Sequence, residues 1–249
     1  MSRTSWIVVA IAAALTAHMA LAAELTVMSG AAIEPGLRAA VASFEQETGH
    51  KVTITFNTTP QMRERVAAGD TFDIVIASRS AIGDFVEVGK AEAGGVELGR
   101  VGSGVAVRPG APVPAIASGE DIKNAVLAAD SVVFNLASTG LYLENLFKKM
   151  GVYDQIEPKT VRYTTGAEVM QHVLKGGGDE IGFGPITEIL LEKEHGLVYV
   201  GPLPPDIQNY TTYVAAPMSA GSQKGLARQL AAYLGGPTGK PLFVAAGIE

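Results

Sequence analysis

The sequence of 249 residues contains no cysteine. The folded state therefore uses neither disulfide bonds nor thiolate ligands for metals, and its stability must come from packing. The histidines beyond the N-terminal segment, His50, His172 and His195, show none of the spacings that are typical of zinc sites. We therefore expect no metal held by side chains and no cofactor.

Tryptophan and dense positive charge are also scarce. The single tryptophan, Trp6, lies near the N-terminus, so stacking platforms for sugars or bases cannot be built on tryptophan elsewhere. The formal net charge is −6, and no run of Lys or Arg is dense enough to follow a phosphate backbone. We expect no nucleic-acid partner, and any bound anion must be held by local geometry rather than by overall charge.

The common catalytic and nucleotide-binding motifs are missing as well. The glycine clusters at residues 99–104 and 176–178 match neither the dinucleotide fingerprint nor the phosphate-binding loop, so we interpret them as turns. No G-x-S-x-G motif is present, which leaves a serine-hydrolase interpretation without support.

The first 22 residues have the pattern of a secretory signal peptide. Arg3 precedes an apolar run at residues 6–15, and the small residues Ala20 and Ala22 flank a leucine before the expected cleavage site. The apolar run is shorter than the roughly 20 residues that a membrane-spanning helix needs. We therefore expect cleavage near Ala22 and a periplasmic protein.

The next part of the chain repeats one supersecondary unit. Strands predicted at residues 25–28, 52–56 and 74–77 are each followed by a polar loop and a helical pattern. Parallel strands require such crossover helices, so the pattern predicts an α/β fold with a mostly parallel sheet flanked by helices. The loops after the carboxyl ends of these strands should meet at one edge and form a ligand crevice.

Two proline-rich stretches, at residues 109–114 and 202–205, predict that the chain crosses to a second lobe and returns. A second series of α/β units lies between them. The sequence therefore predicts a two-lobed clamp in which lobe I comprises residues 23–103 and 208–249 and lobe II comprises residues 104–207. Such a clamp is expected to be a monomer.

The polar loops supply the candidate ligand-binding residues. Helix starts expose unpaired N–H groups and carry a partial positive charge, so several of them can hold a small anion. Alternatively, the Ser and Thr side chains only cap their helices. The candidates from these loops are Ser29, Gly30, Ala31, Thr58, Ser78, Ser138, Gly140 and Gly166.

Two arginines near these loops, Arg63 and Arg79, are further candidates because a guanidinium offers forked donors to a carboxylate. The alternative for each is a solvated surface side chain.

Several segments resemble the periplasmic molybdate-binding proteins of ABC transporters, and the similarity extends over the whole chain after the signal. The resemblance implies the type II periplasmic-binding-protein fold, capture of a small anion and delivery to an inner-membrane ABC permease. The segments that carry it are residues 24–32 (ELTVMSGAA), 56–59 (FNTT), 67–69 (AAG), 72–76 (FDIVI), 138–142 (STGLY), 149–151 (KMG), 180–183 (EIGF) and 201–204 (GPLP).

In that family two serines, two backbone amides and a tyrosine hold the oxyanion. By position, the resemblance assigns the serines to Ala32 and Thr59, and the amides to Thr139 and Ala167. It assigns the tyrosine to Pro185, which has neither a hydroxyl nor an N–H group. Two of the five donors are thus lost, and each hydrogen bond to a charged group contributes about 1.5–3 kcal/mol.

The stretch at residues 203–210 (LPPDIQNY) resembles a branch of the family to which a periplasmic aconitate isomerase is similar. This resemblance implies a di- or tricarboxylate as the alternative ligand, with Arg63 or Arg79 as its partner and Tyr210 as a contact on the hinge side.

Two hypotheses follow for the function. The first is a transport receptor that closes on an anion and catalyses nothing. The second is an isomerase of an unsaturated tricarboxylate, which needs a base within reach of the substrate. The sequence offers only Glu168, His172 and Tyr210 as candidate bases near the predicted cleft loops.

Overall fold

A computed structural model of the protein describes residues 22–249. The expected signal peptide, apart from Ala22, lies outside the described residues. None of the helices within this range is both long and apolar enough to cross a membrane.

The described chain alternates strands and helices. The strands are β1 (Glu24–Gly30), β2 (Lys51–Asn57), β3 (Ile74–Ser78), β4 (Val96–Val107), β5 (Ser131–Asn135), β6 (Thr160–Tyr163), β7 (Glu180–Pro185), β8 (Val198–Pro202) and β9 (Tyr210–Pro217). The helices are α1 (Glu34–Thr48), α2 (Thr59–Ala67), α3 (Arg79–Glu87), α4 (Gly119–Ala128), α5 (Ser138–Lys149), α6 (Tyr153–Ile156), α7 (Gly166–Lys175), α8 (Ile186–Leu191), α9 (Lys224–Gly235) and α10 (Gly239–Ala245).

The strands form one curled sheet in the order β2-β1-β3-β9-β4-β7-β5-β6, with β8 also paired to β4. Strands β1, β2 and β3 are parallel to one another, and so are β5, β6 and β7. Strands β4 and β9 run antiparallel to their neighbours. The first part of β4 pairs with β9 and its second part with β7 and β8, so β4 passes from one half of the sheet to the other.

We call β1, β2, β3, β9 and the first part of β4 the first half, and the remaining strands the second half. Each half has apolar cores on both faces, because successive side chains of a strand point to opposite sides. In the first half Val27 packs with α1, α9 and α10, whereas Met28 packs with α2 and α3. In the second half Val132 packs with α5, whereas Val133 packs with α7 and α8. These layers confirm the α/β fold class.

The interpretation of residues 99–104 as a turn is wrong, because these residues lie within the long strand β4. Only its end, at residues 105–107, has an apolar strand pattern. Glycine has a low strand propensity, and β4 contains Gly99, Gly102 and Gly104. Gly99 has a φ of 150°, and a side chain there would lie 2.7 Å from Ile248. The C-terminus packs against β4 at this point, which requires a glycine that local patterning cannot reveal.

The buried carboxylate of Asp73 joins the two separated parts of the first half. Oδ2 accepts hydrogen bonds from the backbone N–H of Thr26 (2.9 Å) and from its hydroxyl (3.0 Å). Oδ1 accepts from the backbone N–H of Gln223 (3.0 Å) and from the hydroxyl of Ser222 (3.3 Å), just before α9. Burial raises the pKa of Asp73, but these hydrogen bonds outweigh burial, so the pKa lies below its ordinary value of 3.8.

We expect Asp73→Asn to lower the free energy of unfolding by about 2 kcal/mol at neutral pH, because the amide replaces one acceptor oxygen by an NH2 donor that faces other donors. Since the pKa is lowered on folding, this stabilisation is present above pH 3.8 and is lost as the pH falls through the folded pKa. Denaturant unfolding at several pH values measures it. The control Asp70→Asn removes an exposed ion pair with Arg65 and should cost under about 1 kcal/mol. A difference between the variants that is the same at every pH would contradict the assignment.

Candidate functional site

A small cavity of about 40 Å³ lies between the two halves of the sheet. Five loops reach it, and each follows the carboxyl end of a parallel strand: β1 and β2 in the first half, and β5, β6 and β7 in the second half. The lining residues are Gly30, Ala31, Ala32, Asn57, Thr58, Thr59, Asn135, Ala137, Ser138, Thr139, Thr165, Gly166, Pro185, Glu188 and Tyr213.

Two of these loops use their threonines as helix caps. The hydroxyl of Thr58 accepts from the backbone N–H of Gln61 (3.5 Å), and the Gln61 side chain accepts from the N–H of Thr58 (2.8 Å). Thr165 and Glu168 form the same reciprocal arrangement at α7. A threonine can therefore cap its helix and also line the cavity, because the capped helix starts still face the cavity with their partial positive charge.

The start of α5 is capped by a residue that the sequence analysis did not identify. Asn135 accepts through Oδ1 from the backbone N–H groups of Ala137 (3.1 Å) and Gly140 (3.0 Å). The N–H of Gly140 therefore points at Asn135 rather than into the cavity. The N–H groups of Ser138 and Thr139 belong to the first turn of α5, where no intrahelical acceptor exists.

The two halves touch each other across the cavity. The hydroxyl of Ser138 on α5 donates to the hydroxyl oxygen of Thr59 on α2 (3.4 Å). The hydroxyl of Thr187 on α8 donates to the carbonyl oxygen of Ala32 (2.5 Å). The cleft is therefore closed in this structure.

A second, more open pocket adjoins the cavity and shares Ser138 with it. It contains Ser78, Arg79 and Tyr210. The guanidinium of Arg79 pairs with the carboxylate of Glu97, and the ring of Tyr210 lies 4.1 Å from the guanidinium of Arg100. These three sequence-predicted residues are thus next to the cavity rather than in it.

The other sequence-predicted residues lie outside the lining. Arg63 forms an ion pair with Asp84 (2.6 Å) at the surface. Ser29 is buried at the end of β1, where its hydroxyl donates to the carbonyl of Gly30 (3.2 Å). Ala167 follows the lining residue Gly166 in the first turn of α7.

The candidate bases from the sequence do not reach the cavity. Glu168 is occupied by the cap of α7, and Tyr210 stacks on Arg100. His172 lies in a separate surface pocket, where Nδ1 is 2.9 Å from the hydroxyl of Tyr163. Within residues 22–249, no three His, Asp or Glu side chains are grouped so that they could hold a metal ion.

The cavity instead contains a carboxyl group and a phenol that sequence reasoning missed. Glu188, in the first turn of α8, has an Oε2 atom that is shielded from solvent and has no hydrogen-bond partner. Burial raises the pKa of Glu188 to about 7 from its ordinary 4.5, and the negative charge of Glu34 adds to the increase. Burial also raises the pKa of Tyr213, and the nearby charge of Glu188 raises it further.

Local sequence gave only a weak signal for these two residues. Glu188 lies three positions after the end of β7, and the strand-end rule used for the other loops would have included it. Tyr213 lies inside β9, where a strand residue has no local feature that marks it as part of a site. Its ring packs so close to Gly30 that a side chain at that glycine would lie 2.8 Å from it.

A family model described as "Bacterial extracellular solute-binding protein" matches residues 25–249. Among curated proteins, an aconitate isomerase from Pseudomonas sp. is 31% identical over 217 residues, which are 84% of this chain and 81% of that protein.

Solved structures with the same fold include oxyanion-binding proteins. The periplasmic molybdate-binding protein of Azotobacter vinelandii has a TM-score of 0.75 at 16% identity, covering 90% of this chain and 98% of that one. A sulfate-binding protein of Mycobacterium tuberculosis has a TM-score of 0.72 at 19% identity, and the match covers 91% of this chain and 86% of that one. At these identities the likeness extends to the fold, which confirms the expected periplasmic-binding-protein architecture.

We expect Glu188→Gln to raise the free energy of unfolding by about 1–2 kcal/mol above pH 7, because an ionised carboxylate without a partner is costly to bury. The raised pKa means that the wild type loses stability as the pH rises from 4.5 through about 7, so the gain should vanish below pH 4.5. Thermal unfolding across this range measures it. The control Glu192→Gln, at the end of the same helix, removes a carboxylate that accepts from Gln171 and should give no gain. A gain that is independent of pH would contradict the assignment.

Proposed function

Because the chain belongs to the family of bacterial extracellular solute-binding proteins, we propose that it captures a small anion in this cavity and delivers it to an inner-membrane ABC permease. The observation that carries the proposal is the meeting of strand-end loops and helix starts from both halves around one gap. The expected signal peptide, with cleavage near Ala22, supports a periplasmic location.

The charges around the cavity support the proposal that the anion is held by uncharged hydrogen-bond donors. No Lys or Arg is among the residues that line the cavity within the described chain. The first turns of α2, α5 and α7 direct N–H groups and partial positive charge toward it. The relatives that bind molybdate and sulfate favour an oxyanion, and the relative named as an aconitate isomerase favours a carboxylate.

The contacts between the halves support a clamp with lobe I at residues 23–103 and 208–249 and lobe II at residues 104–207. The chain crosses twice, next to Ser103 and next to Gln208. The backbone N–H of Ser103 donates to Oε1 of Gln208 (2.8 Å), and Nε2 of Gln208 donates to the carbonyl of Ser103 (3.0 Å). This pair of hydrogen bonds makes the two crossings a single hinge, about which a monomer opens and closes.

We expect calorimetry to detect micromolar or tighter binding of one small anion from a panel of molybdate, tungstate, sulfate, phosphate, dicarboxylates and tricarboxylates. Gly166→Ala should weaken this binding at least tenfold, because its Cβ would lie 1.6 Å from Oε2 of Glu188 and push the carboxylate into the cavity. The control Gly225→Ala, in an open position on α9, should bind as the wild type does. Silence across the panel, or equal affinities of the two variants, would count against the proposal.

A second candidate function is isomerisation of an unsaturated tricarboxylate, favoured by the 31% identical relative and by the carboxyl group of Glu188 in the cavity. In such a step a base takes a proton from the methylene carbon, the double bond moves by one carbon, and the proton returns to the former alkene carbon. A single carboxyl group with a pKa near 7 can accept and return that proton.

If the protein is an isomerase, incubation with trans-aconitate will produce cis-aconitate, and Glu188→Gln will lower the rate at least a hundredfold, as expected for loss of a general base. Chromatography of the mixture measures both isomers, and Glu192→Gln serves as the control. An unchanged mixture with the wild type rejects this activity and leaves the binding function intact.

A further inference from the structure

We propose that Glu188 selects ligands that carry a proton of their own. The cavity binds a small anion whose hydroxyl group donates a hydrogen bond to the buried carboxylate, such as hydrogen phosphate or a hydroxy acid. This inference rests on the proposed function, because it names the ligand class of the same cavity.

The residues around Glu188 determine the position of its carboxylate. Oε2 of Glu188 is shielded from solvent without a partner, yet the side chain lines the cavity. Gly166, at the start of α7, leaves the space that this oxygen fills, since any Cβ there would lie 1.6 Å from it. Next to Glu188, Thr187 is fixed by its hydrogen bond to Ala32, which holds the first turn of α8 against the opposite half.

The other polar groups of the cavity are mainly hydrogen-bond donors. Glu188 adds an acceptor, so a matching ligand must also carry a donor. Helix-start N–H groups and hydroxyls donate to the oxygens of an anion. An ionised carboxylate only accepts, so it repels a ligand that has acceptors alone. A ligand hydroxyl instead donates to Oε2 while the other ligand oxygens accept. A hydrogen bond to a charged group corresponds to roughly ten- to hundredfold in affinity.

The groups around Glu188 allow this selection to depend on pH. The titratable groups that interact with it are Glu34 at the start of α1 and Tyr213 on β9. On α7, Gly166 is in contact, and the carboxylate of Glu168 is taken by Thr165.

Further ionisable groups lie on or beside the elements packed against α8. Tyr199 on β8 and Tyr210 on β9 lie near Ile186. After α8, His195 pairs with Glu192. Glu188 is therefore an acceptor above about pH 7 and becomes a donor when protonated below it.

Two pairs of anions, matched in charge and similar in shape, test the inference at about pH 8.5. Hydrogen phosphate and sulfate are tetrahedral dianions of which only the first has a hydroxyl, and malate and succinate differ in the same way. We expect calorimetry to show at least a tenfold preference for the hydroxyl-bearing member of at least one pair. In Glu188→Gln the preference should fall below about threefold, because an amide both donates and accepts. Glu192→Gln should retain the wild-type preference.

Sulfate provides a second measurement, because its charge is constant between about pH 5.5 and 8.5. Its affinity for the wild type should fall severalfold or more as the pH rises through 7, and its affinity for Glu188→Gln should stay constant.

The inference is overturned if the wild type shows no preference within either pair, if it prefers sulfate or succinate, if Glu188→Gln keeps the wild-type ratio, or if none of the four anions binds. The proposed function is judged separately by the wider panel. Tight binding of molybdate that Glu188→Gln does not alter would keep the binding function and reject selection by the proton.

Discussion

The site depends on two chain crossings that lie side by side. One crossing is inside β4, and the other is the segment between β8 and β9, and the two-way hydrogen bonding between Ser103 and Gln208 holds them together. Because β4 pairs with β9 in one half and with β7 in the other, both sets of parallel strands end at the same gap. Without this junction, the loops would line two separate crevices, and neither would enclose a ligand.

Enclosure matters for the proposed binding of an anion because the donors that the cavity offers are uncharged. N–H dipoles and hydroxyls attract an anion weakly in water and much more strongly where water is excluded. The contacts of Ser138 with Thr59 and of Thr187 with Ala32 close the gap and thereby lower the local dielectric. The same closure increases the cost of ionising Glu188, so tight binding of an anion and the protonation of this residue depend on one another.

The features that could be predicted from the sequence are those with a local signal. Strand, loop and helix follow one another with clear periodicity at β1 to α3, so the fold class and the convergence of the loops near Thr58, Ser138 and Gly166 were foreseeable. The length of β4 was not, because Gly99 is needed for a contact with the distant C-terminus, and Gly102 and Gly104 leave room for Ile186. Neither was Tyr213, which reaches the cavity from the middle of a strand through pairing that no local pattern encodes.

For the same reason, the ligand-binding residues assigned by their positions in the molybdate-binding family include only part of the site. The resemblance placed ligand-binding side chains at Ala32 and Pro185, which have no hydroxyl. In the structure Ala32 contributes its carbonyl oxygen to a closing contact with Thr187, and Tyr213 lines the cavity from another strand. The carbonyl of Ala32 is already taken by Thr187, so the change from the molybdate-binding pattern lies in the carboxylate of Glu188, an acceptor placed among the remaining donors. A cavity changed in that direction favours a ligand that brings a proton of its own.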